Sequence, residues 1–244
     1  MRVRTVPTIV ATVVALLGAC SSPSSAPTTG GHRPSPEASS PSKQHSVVLL
    51  SDDFSDRAGG WPVGSPASMD PQALSYGYAR GQYMISIAPG KKLGFYLSAP
   101  VNKTSRNVRI DVDVRELGQP AVWGVYCNGD GRSRSFYTFT VGLEDSWGIG
   151  RVYPGGGELL AKGPASGSIR PGSPATHLTA TCRSDWSRGS VSLSMRVDGK
   201  EVLHAMDRNG PVGKFHSVPG LYIESSSFGD VQVLFDNFVF RALA

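Results

Sequence analysis

The sequence lacks the signatures of the common enzyme classes. It has no G-x-S-x-G nucleophile elbow, no C-x-x-C, no H-E-x-x-H, no G-x-x-x-x-G-K and no G-x-G-x-x-G segment. These patterns mark hydrolases, redox and metal sites, and nucleotide sites. The five histidines are scattered without the spacing of metal ligands. We therefore expect a domain that is not an enzyme, has no catalytic residues and requires no cofactor.

The sequence also lacks a strong excess of one charge. It has 24 basic and 19 acidic residues, and 22 basic residues remain once Arg2 and Arg4, in a segment expected to be removed, are set aside. Proteins that bind nucleic acid neutralise many phosphates and need a larger basic excess. We expect a monomer that does not bind nucleic acid.

The longest apolar run is short and lies at the start of the chain. Arg2 and Arg4 precede the apolar residues Val6 to Ala19, which are too few to span a bilayer but have the length of a secretory signal. The run ends in Leu17-Gly18-Ala19-Cys20, which resembles a bacterial lipobox. We predict a lipoprotein signal peptide over residues 1–19 and lipidation of Cys20, which would hold the protein at the extracytoplasmic side of the cell membrane. The alternative is an ordinary secretory signal beside a chance cysteine.

Residues 20–45, predicted to be a linker, have no aliphatic side chain larger than alanine after Cys20, apart from the proline rings. Ser21 to His45 contain eight Ser, five Pro, two Thr and two Gly, with no aromatic residue. Such a composition cannot bury enough apolar surface to offset the entropy of ordering. The sequence therefore predicts a disordered tether between the lipid anchor and a folded domain at 46–244.

From Ser46 onward the chain lacks a helical repeat and follows a period of two. Apolar residues alternate with polar ones in Tyr83 to Ile87, Val108 to Val114, Phe136 to Val141 and Val191 to Val197. Asp198-Gly199 between two such runs is a strong hairpin signal. About thirteen candidate strands predict an all-β, antiparallel jelly-roll sandwich of two sheets.

Three cysteines are too few for a disulfide-rich scaffold. With Cys20 assigned to lipid, Cys127 and Cys182 form an even pair in an exported chain, and strand parity turns both toward a core. We predict a disulfide between them. Two buried free thiols are the alternative.

A few aromatic residues suggest a binding surface, since flat rings with polar edges suit the faces of sugars. Trp147, Arg151 and Tyr153 share one strand face with Ile149, and Tyr126 projects opposite to Cys127. We consider Tyr126, Trp147, Arg151 and Tyr153 as glycan-binding candidates. The alternative is that Trp147 and Ile149 pack inside the sandwich.

Several short motifs together resemble the concanavalin A-like lectin/glucanase sandwiches over about residues 47 to 242. The nearest branch comprises laminin G-like and keto-disaccharide-hydrolase-like modules of exported bacterial lipoproteins. The motifs are Asp52-Asp53-Phe54-Ser55, Gly60-Trp61, Tyr78-x-x-Gly81-x-Tyr83-x-Ile85, Trp123-Gly124-Val125-x-Cys127, Tyr137-x-Phe139, Leu178-x-Ala180-x-Cys182 and Phe235-Asp236-Asn237-Phe238-Val239. The resemblance implies a jelly-roll that binds or cleaves glycans, but the E-x-D-x-x-E segment of the glucanases is absent.

The resemblance also implies a structural calcium ion, because such sandwiches often hold one where the first and last strands meet. Asp53 and Asp236 are the candidate ligands, and strand parity places Asp236 on a buried face among Leu and Phe residues. The alternative is that Asp236 caps backbone N-H groups without an ion.

Three functions remain open at this stage. The first is a non-catalytic module that binds a cell-wall or extracellular glycan. The second is a glycoside-active enzyme whose carboxylates come from loops, such as Glu144 and Asp145. The third is a protein-interaction or sensory domain. Asp111 and Asp113, which share a strand face, are expected to be outer-face charges rather than a catalytic pair.

Overall fold

The structure, a computed structural model, describes residues 46–66, 72–129, 135–142, 146–164, 174–210, 218–225 and 229–244. The predicted signal peptide, Cys20 and the tether lie outside this part. The described residues are mostly β-strand, with a 3-10 turn at Arg57–Gly59 as their helical segment. None of their helices is long and apolar enough to cross a membrane. The strands are β1 (Ser46–Asp52), β2 (Leu74–Ala79), β3 (Gln82–Ile87), β4 (Leu93–Ser98), β5 (Val108–Gly118), β6 (Val122–Gly129), β7 (Phe136–Gly142), β8 (Ser146–Tyr153), β9 (Gly156–Pro164), β10 (Thr176–Asp185), β11 (Ser190–Val197), β12 (Lys200–Asp207), β13 (Val218–Ser225) and β14 (Val231–Leu243).

The strands form two antiparallel sheets. The larger sheet has eight strands in the order β12-β11-β10-β5-β14-β3-β2, with β1 paired to the second half of β14. The smaller sheet has six strands in the order β4-β13-β6-β7-β8-β9. This architecture confirms the predicted all-β sandwich.

The alternating runs found in the sequence are strands, and their apolar residues form the core. In β5, Val108, Ile110, Val112 and Val114 are buried, and they pack in one cluster with inward residues of both sheets. The Asp198-Gly199 hairpin between β11 and β12 is also confirmed, since both residues have the positive φ that a tight hairpin turn needs.

Cys127 and Cys182 form a disulfide that joins the two sheets. Cys127 lies on β6 of the smaller sheet and Cys182 on β10 of the larger one. Both side chains are buried in the core, as strand parity predicts. The predicted pairing is confirmed, and the alternative of two free thiols is wrong for this structure.

The parity expected for β14 is wrong beyond Phe235. The register with β5 shifts between Asp236 and Val239, and Asn237 has φ 50°, which marks a β-bulge. The extra residue returns Phe238 and Phe240 to the core face and leaves Asp236 on the outer face. The last strand therefore places no carboxylate among the buried phenylalanines.

Candidate functional site

The outer face of the smaller sheet carries four aromatic rings. Tyr96 on β4, Tyr222 on β13 and Tyr126 on β6 project from neighbouring strands, and Phe136 follows on β7. The residues beside them in sequence, such as Leu97, Leu221 and Val125, point inward to the core. We call the four rings Tyr96, Tyr126, Phe136 and Tyr222 the aromatic patch.

The rings of the aromatic patch contact one another closely. Tyr96 stacks on Tyr222 with ring centroids 4.7 Å apart and meets Phe136 edge-on at 4.6 Å, while Tyr126 lies 5.0 Å from Phe136. Tyr126, Phe136 and Tyr222 are buried although they point away from the core, whereas Tyr96 is 37% exposed. The rings cover one another on this face, and Tyr96 is the ring of the four that solvent reaches most.

Glycines make room for this arrangement at two positions. A Cβ on Gly220 would lie 2.4 Å from the Tyr126 ring, so this strand accepts the ring only because it has no side chain there. A Cβ on Gly124 would lie 2.9 Å from the carbonyl carbon of Phe139 on the adjacent strand. Both glycines are required by this close approach.

Polar atoms lie at the edges of the rings. The Ser98 and Tyr126 hydroxyls are 2.8 Å apart, and the Tyr222 hydroxyl donates to Glu224 Oε2. Burial raises the pKa of Tyr126 to about 12, and it also raises the pKa of Tyr96 and of Tyr222. The three phenols therefore stay protonated at neutral pH and can both donate and accept hydrogen bonds.

The aromatic patch has the chemistry of a sugar-binding surface. Flat rings edged by hydroxyls can stack on a sugar face and bond its hydroxyl groups. Glycoside hydrolysis ordinarily needs two carboxylates at one site. Glu224 is the one carboxylate that the described residues place in hydrogen-bond contact with the patch. Glu144 and Asp145, the loop carboxylates considered from the sequence, lie outside the described residues.

The sequence candidates for glycan binding do not form one surface. Tyr126 projects away from Cys127 as expected and belongs to the aromatic patch. Trp147 is only 5% exposed and packs in the core with Ile149, which was the alternative considered for it. A saccharide platform that includes Trp147 is thus corrected, because the face it shares with Arg151 and Tyr153 points between the sheets.

Arg151 is held by ion pairs at the edge of the sandwich. Its Nη1 lies 2.8 Å from Asp207 on β12, and its Nη2 lies 2.8 Å from Glu158 on β9. The Tyr137 hydroxyl also donates to Asp207. Arg151 therefore links the two sheets, and Tyr153, 39% exposed, lies beside it with the guanidinium 5.7 Å from its ring.

Sequence reasoning missed Tyr96, Phe136 and Tyr222. A signal for two of them was present, since Gly94-x-Tyr96, Gly124-x-Tyr126 and Gly220-x-Tyr222 repeat one spacing. The structure places these three segments on adjacent strands with the glycines and rings outward. The repeat alone is not decisive, because Gly81-x-Tyr83 has the same spacing and Tyr83 is buried in the core.

The calcium candidates bind protein groups instead of converging on a site. Asp53 Oδ1 accepts hydrogen bonds from the backbone and hydroxyl of Ser55. Asp236 accepts from the backbone N-H of Asn237 and from Gln82, which agrees with the capping alternative. Across the described ranges, no group of three or more His, Cys, Asp or Glu could hold a metal ion. The structural calcium ion that the resemblance implies stays a prediction.

The outer face of the larger sheet carries paired charges. Asp111 accepts hydrogen bonds from Arg109 and Thr179, and Asp113 accepts from His177 at 2.6 Å and from Asn237. Asp111 and Asp113 thus point outward, as expected, although their neighbours cover Asp111. Both carboxylates therefore contact side chains of this face, which we call the charged face.

Comparison with known proteins identifies the fold. No family model and no curated protein matches the chain. A Bacillus subtilis protein of unknown function with a galectin-like fold matches 82% of this chain and 99% of its own, with a TM-score of 0.61 and 9% identity. A β-1,3-1,4-glucanase (lichenase) from a mouse hindgut metagenome matches 80% and 99%, with a TM-score of 0.52 and 8% identity. An alginate lyase matches 80% and 96%, with a TM-score of 0.50 and 14% identity. The chain has the concanavalin A-like jelly-roll fold.

Proposed function

We propose that this protein is a non-catalytic glycan-binding module that contacts its ligand through the aromatic patch. The observation that carries the proposal is the cluster of four contacting rings on the outer face of the smaller sheet, edged by Ser98 and Glu224. The lichenase and the alginate lyase, which by their names act on polysaccharides, share the fold and so support a glycan ligand.

The patch would bind by stacking and by hydrogen bonds. Tyr96 offers its exposed ring to one sugar face, and the protonated phenols of Tyr126 and Tyr222 offer polar edges to hydroxyl groups. The contacts between the rings keep the side chains of the aromatic patch ordered before binding, so little side-chain entropy is lost when the ligand binds. A cell-wall or extracellular polysaccharide is the ligand class we propose.

We further propose that the domain is presented at the cell surface as a lipoprotein. The charge, apolar run and Leu17-Gly18-Ala19-Cys20 segment support lipidation of Cys20, and the composition of residues 20–45 supports a tether. Mass spectrometry of the N-terminal peptide from cells would detect acylated Cys20. A Cys20→Ala variant should leave the membrane fraction, and retention there without acylation would contradict the anchor.

A glycan array tests the binding function with two tyrosines of similar exposure. Tyr96→Ala should weaken binding of the array's ligand by about tenfold or more, which corresponds to about 1.4 kcal/mol. Tyr153→Ala, a change at a ring of nearly equal exposure outside the patch, should leave affinity within about twofold. The opposite ranking would return the site to the Arg151 and Tyr153 edge.

Turnover separates binding from catalysis. We expect no release of reducing sugar from any glycan that the array identifies. Release that is abolished by Glu144→Gln would instead establish the glycoside-active enzyme. Silence in both assays would favour a protein-interaction or sensory domain.

A further inference from the structure

An exposed tryptophan lies on the larger sheet, outside the aromatic patch. Trp186 lies in the turn between β10 and β11 of the larger sheet and is 47% exposed. The other three tryptophans, Trp61, Trp123 and Trp147, are all buried. A single exposed apolar side chain is ordinary on a protein surface, so the turn and the pocket around Trp186 have to carry the argument for a site.

The turn that carries Trp186 is firmly built. Asp185 Oδ1 accepts hydrogen bonds from the backbone and hydroxyl of Ser187 and from the backbone N-H of Arg188. The Ser187 hydrogen bond also lowers the pKa of Asp185, so this carboxylate is charged at neutral pH. The indole is therefore presented by an ordered turn, with the Arg106 guanidinium 4.2 Å from its centroid.

A pocket of about 480 Å³ opens beside Trp186. Its lining combines the indole, the 52% exposed Met206 and a set of hydroxyl groups. The hydroxyls are those of Ser184, Ser187, Ser190 and Ser192. An apolar wall faced by several hydroxyls matches a sugar ring, which has apolar C-H faces and a polar rim.

The charge of the pocket selects for an acid. Arg183 and Arg188 line it and Arg106 covers the indole, whereas Asp185 is the one acidic residue among the described lining residues. Arg188 pairs with Asp185 only loosely, at 3.8 Å and with 81% of its side chain exposed. Guanidinium groups bind carboxylates in a planar, two-point geometry.

We propose that the Trp186 pocket is a second saccharide site, on the larger sheet, that binds a uronic acid residue of an acidic polysaccharide. The indole stacks on the sugar ring through the face that Arg106 leaves open, and Arg188, which lines the pocket, binds the carboxylate of the sugar. The pocket is separate from the aromatic patch, so the proposal stands whether or not the patch binds a glycan. A membrane surface, which can also attract Trp and Arg, is less suited to a pocket walled by serines.

Fluorescence quenching by acrylamide gives a direct test, because Trp186 is the one exposed indole of the four. Polygalacturonate and alginate oligosaccharides should protect the purified full chain from quenching in a saturable way, and neutral xylo-oligosaccharides should not. Calorimetry should show affinity reduced at least tenfold by Trp186→Ala and by Arg188→Gln, and largely kept by Trp186→Phe. Added salt should weaken binding because the contact is ionic.

Matched variants and lipids give the outcomes that would overturn the proposal. Tyr153→Ala should leave acidic-oligosaccharide binding unchanged, and a loss with Tyr96→Ala as large as that with Trp186→Ala would place these ligands on the aromatic patch. Equal binding by wild type and Trp186→Ala, or no binding of either acidic probe, would remove the site. Protection by phosphatidylglycerol vesicles but not by phosphatidylcholine vesicles or oligosaccharides would make the pocket a membrane contact.

Discussion

The outer faces of the two sheets follow the same strand alternation but carry different chemistry. On the smaller sheet, the outward positions include glycines, threonines and the four rings of the aromatic patch. On the larger sheet, the charged face pairs Arg109, Asp111, Asp113 and His177. Alternation decides only which side chains leave the core. Paired charges are enough to keep a face soluble. The face with the aromatic patch, on the smaller sheet, is therefore the one that requires a functional explanation.

Removing the disulfide should have the largest effect on stability, because that bond joins the two sheets being compared. The double variant Cys127→Ala, Cys182→Ala opens a loop of 55 residues. We expect the free energy of unfolding in urea to fall by about 3 to 4 kcal/mol, with both outer faces still formed at low temperature. A loss below about 1 kcal/mol would contradict a cross-link between the sheets.

Adding a methyl group to a glycine beside the aromatic patch should have the next largest effect on stability. Gly124→Ala brings a Cβ against the backbone of β7, whereas Gly94→Ala on the same face meets only Tyr222 at 3.6 Å. We expect Gly124→Ala to lower the thermal midpoint by the equivalent of about 2 to 3 kcal/mol and Gly94→Ala to change it little. Equal effects would mean that close packing of this face does not depend on Gly124.

Neutralising one acid of the charged face should cost less. Asp111→Asn removes the negative charge that Arg109 and Thr179 bind, and Arg109 can still reach solvent. We expect a loss of about 1 to 2 kcal/mol in urea unfolding, with glycan binding unchanged. Glu201→Gln breaks an exposed pair with Arg196 and should cost less than about 0.5 kcal/mol. A strong effect of Asp111→Asn on glycan affinity would assign a ligand to the charged face.

The smallest expected change has the opposite sign. Glu116 is an inward-facing acid on β5, buried and hydrogen-bonded by the Ala121 N-H, and burial raises its pKa above the usual 4.5. The folded state then holds this proton more tightly than the unfolded state, so stability falls as pH rises from about 4.5 through the raised pKa. Glu116→Gln should remove that fall and be slightly more stable than wild type at pH 7. Parallel pH profiles would show that Glu116 does not titrate in this way.

The strand pattern and the core could be predicted from the sequence because burial enforces a period of two. The alternation predicts the inward faces of Val108 to Val114 and of Val191 to Val197. The same parity predicts that Cys127 and Cys182 point into the core. Parity fails where the backbone inserts a residue. The bulge at Asp236 and Asn237 has no strong local signal in the sequence, so the expected face of Asp236 was reversed.

The site was only partly predictable for a different reason. Tyr126 could be assigned outward from its neighbour Cys127, but its contacts with Phe136 and Tyr96 depend on strand order. Tyr96 and Tyr222 are 126 residues apart in the chain and meet because β4 pairs with β13. Trp147 shows the opposite error, because an aromatic residue in an alternating strand can pack in the core as readily as it can lie on a surface.

The position of β14 has a consequence for the order of folding during synthesis. This strand follows the other thirteen described strands, yet it lies inside the larger sheet, paired with β5 along one edge and with β3 and then β1 along the other. A nascent chain in which β14 has not yet been synthesised contains β1, β3 and β5 without the strand that pairs with all three. The larger sheet can therefore close only once β14 is present, and until then the edges of β1, β3 and β5 that pair with it stay open.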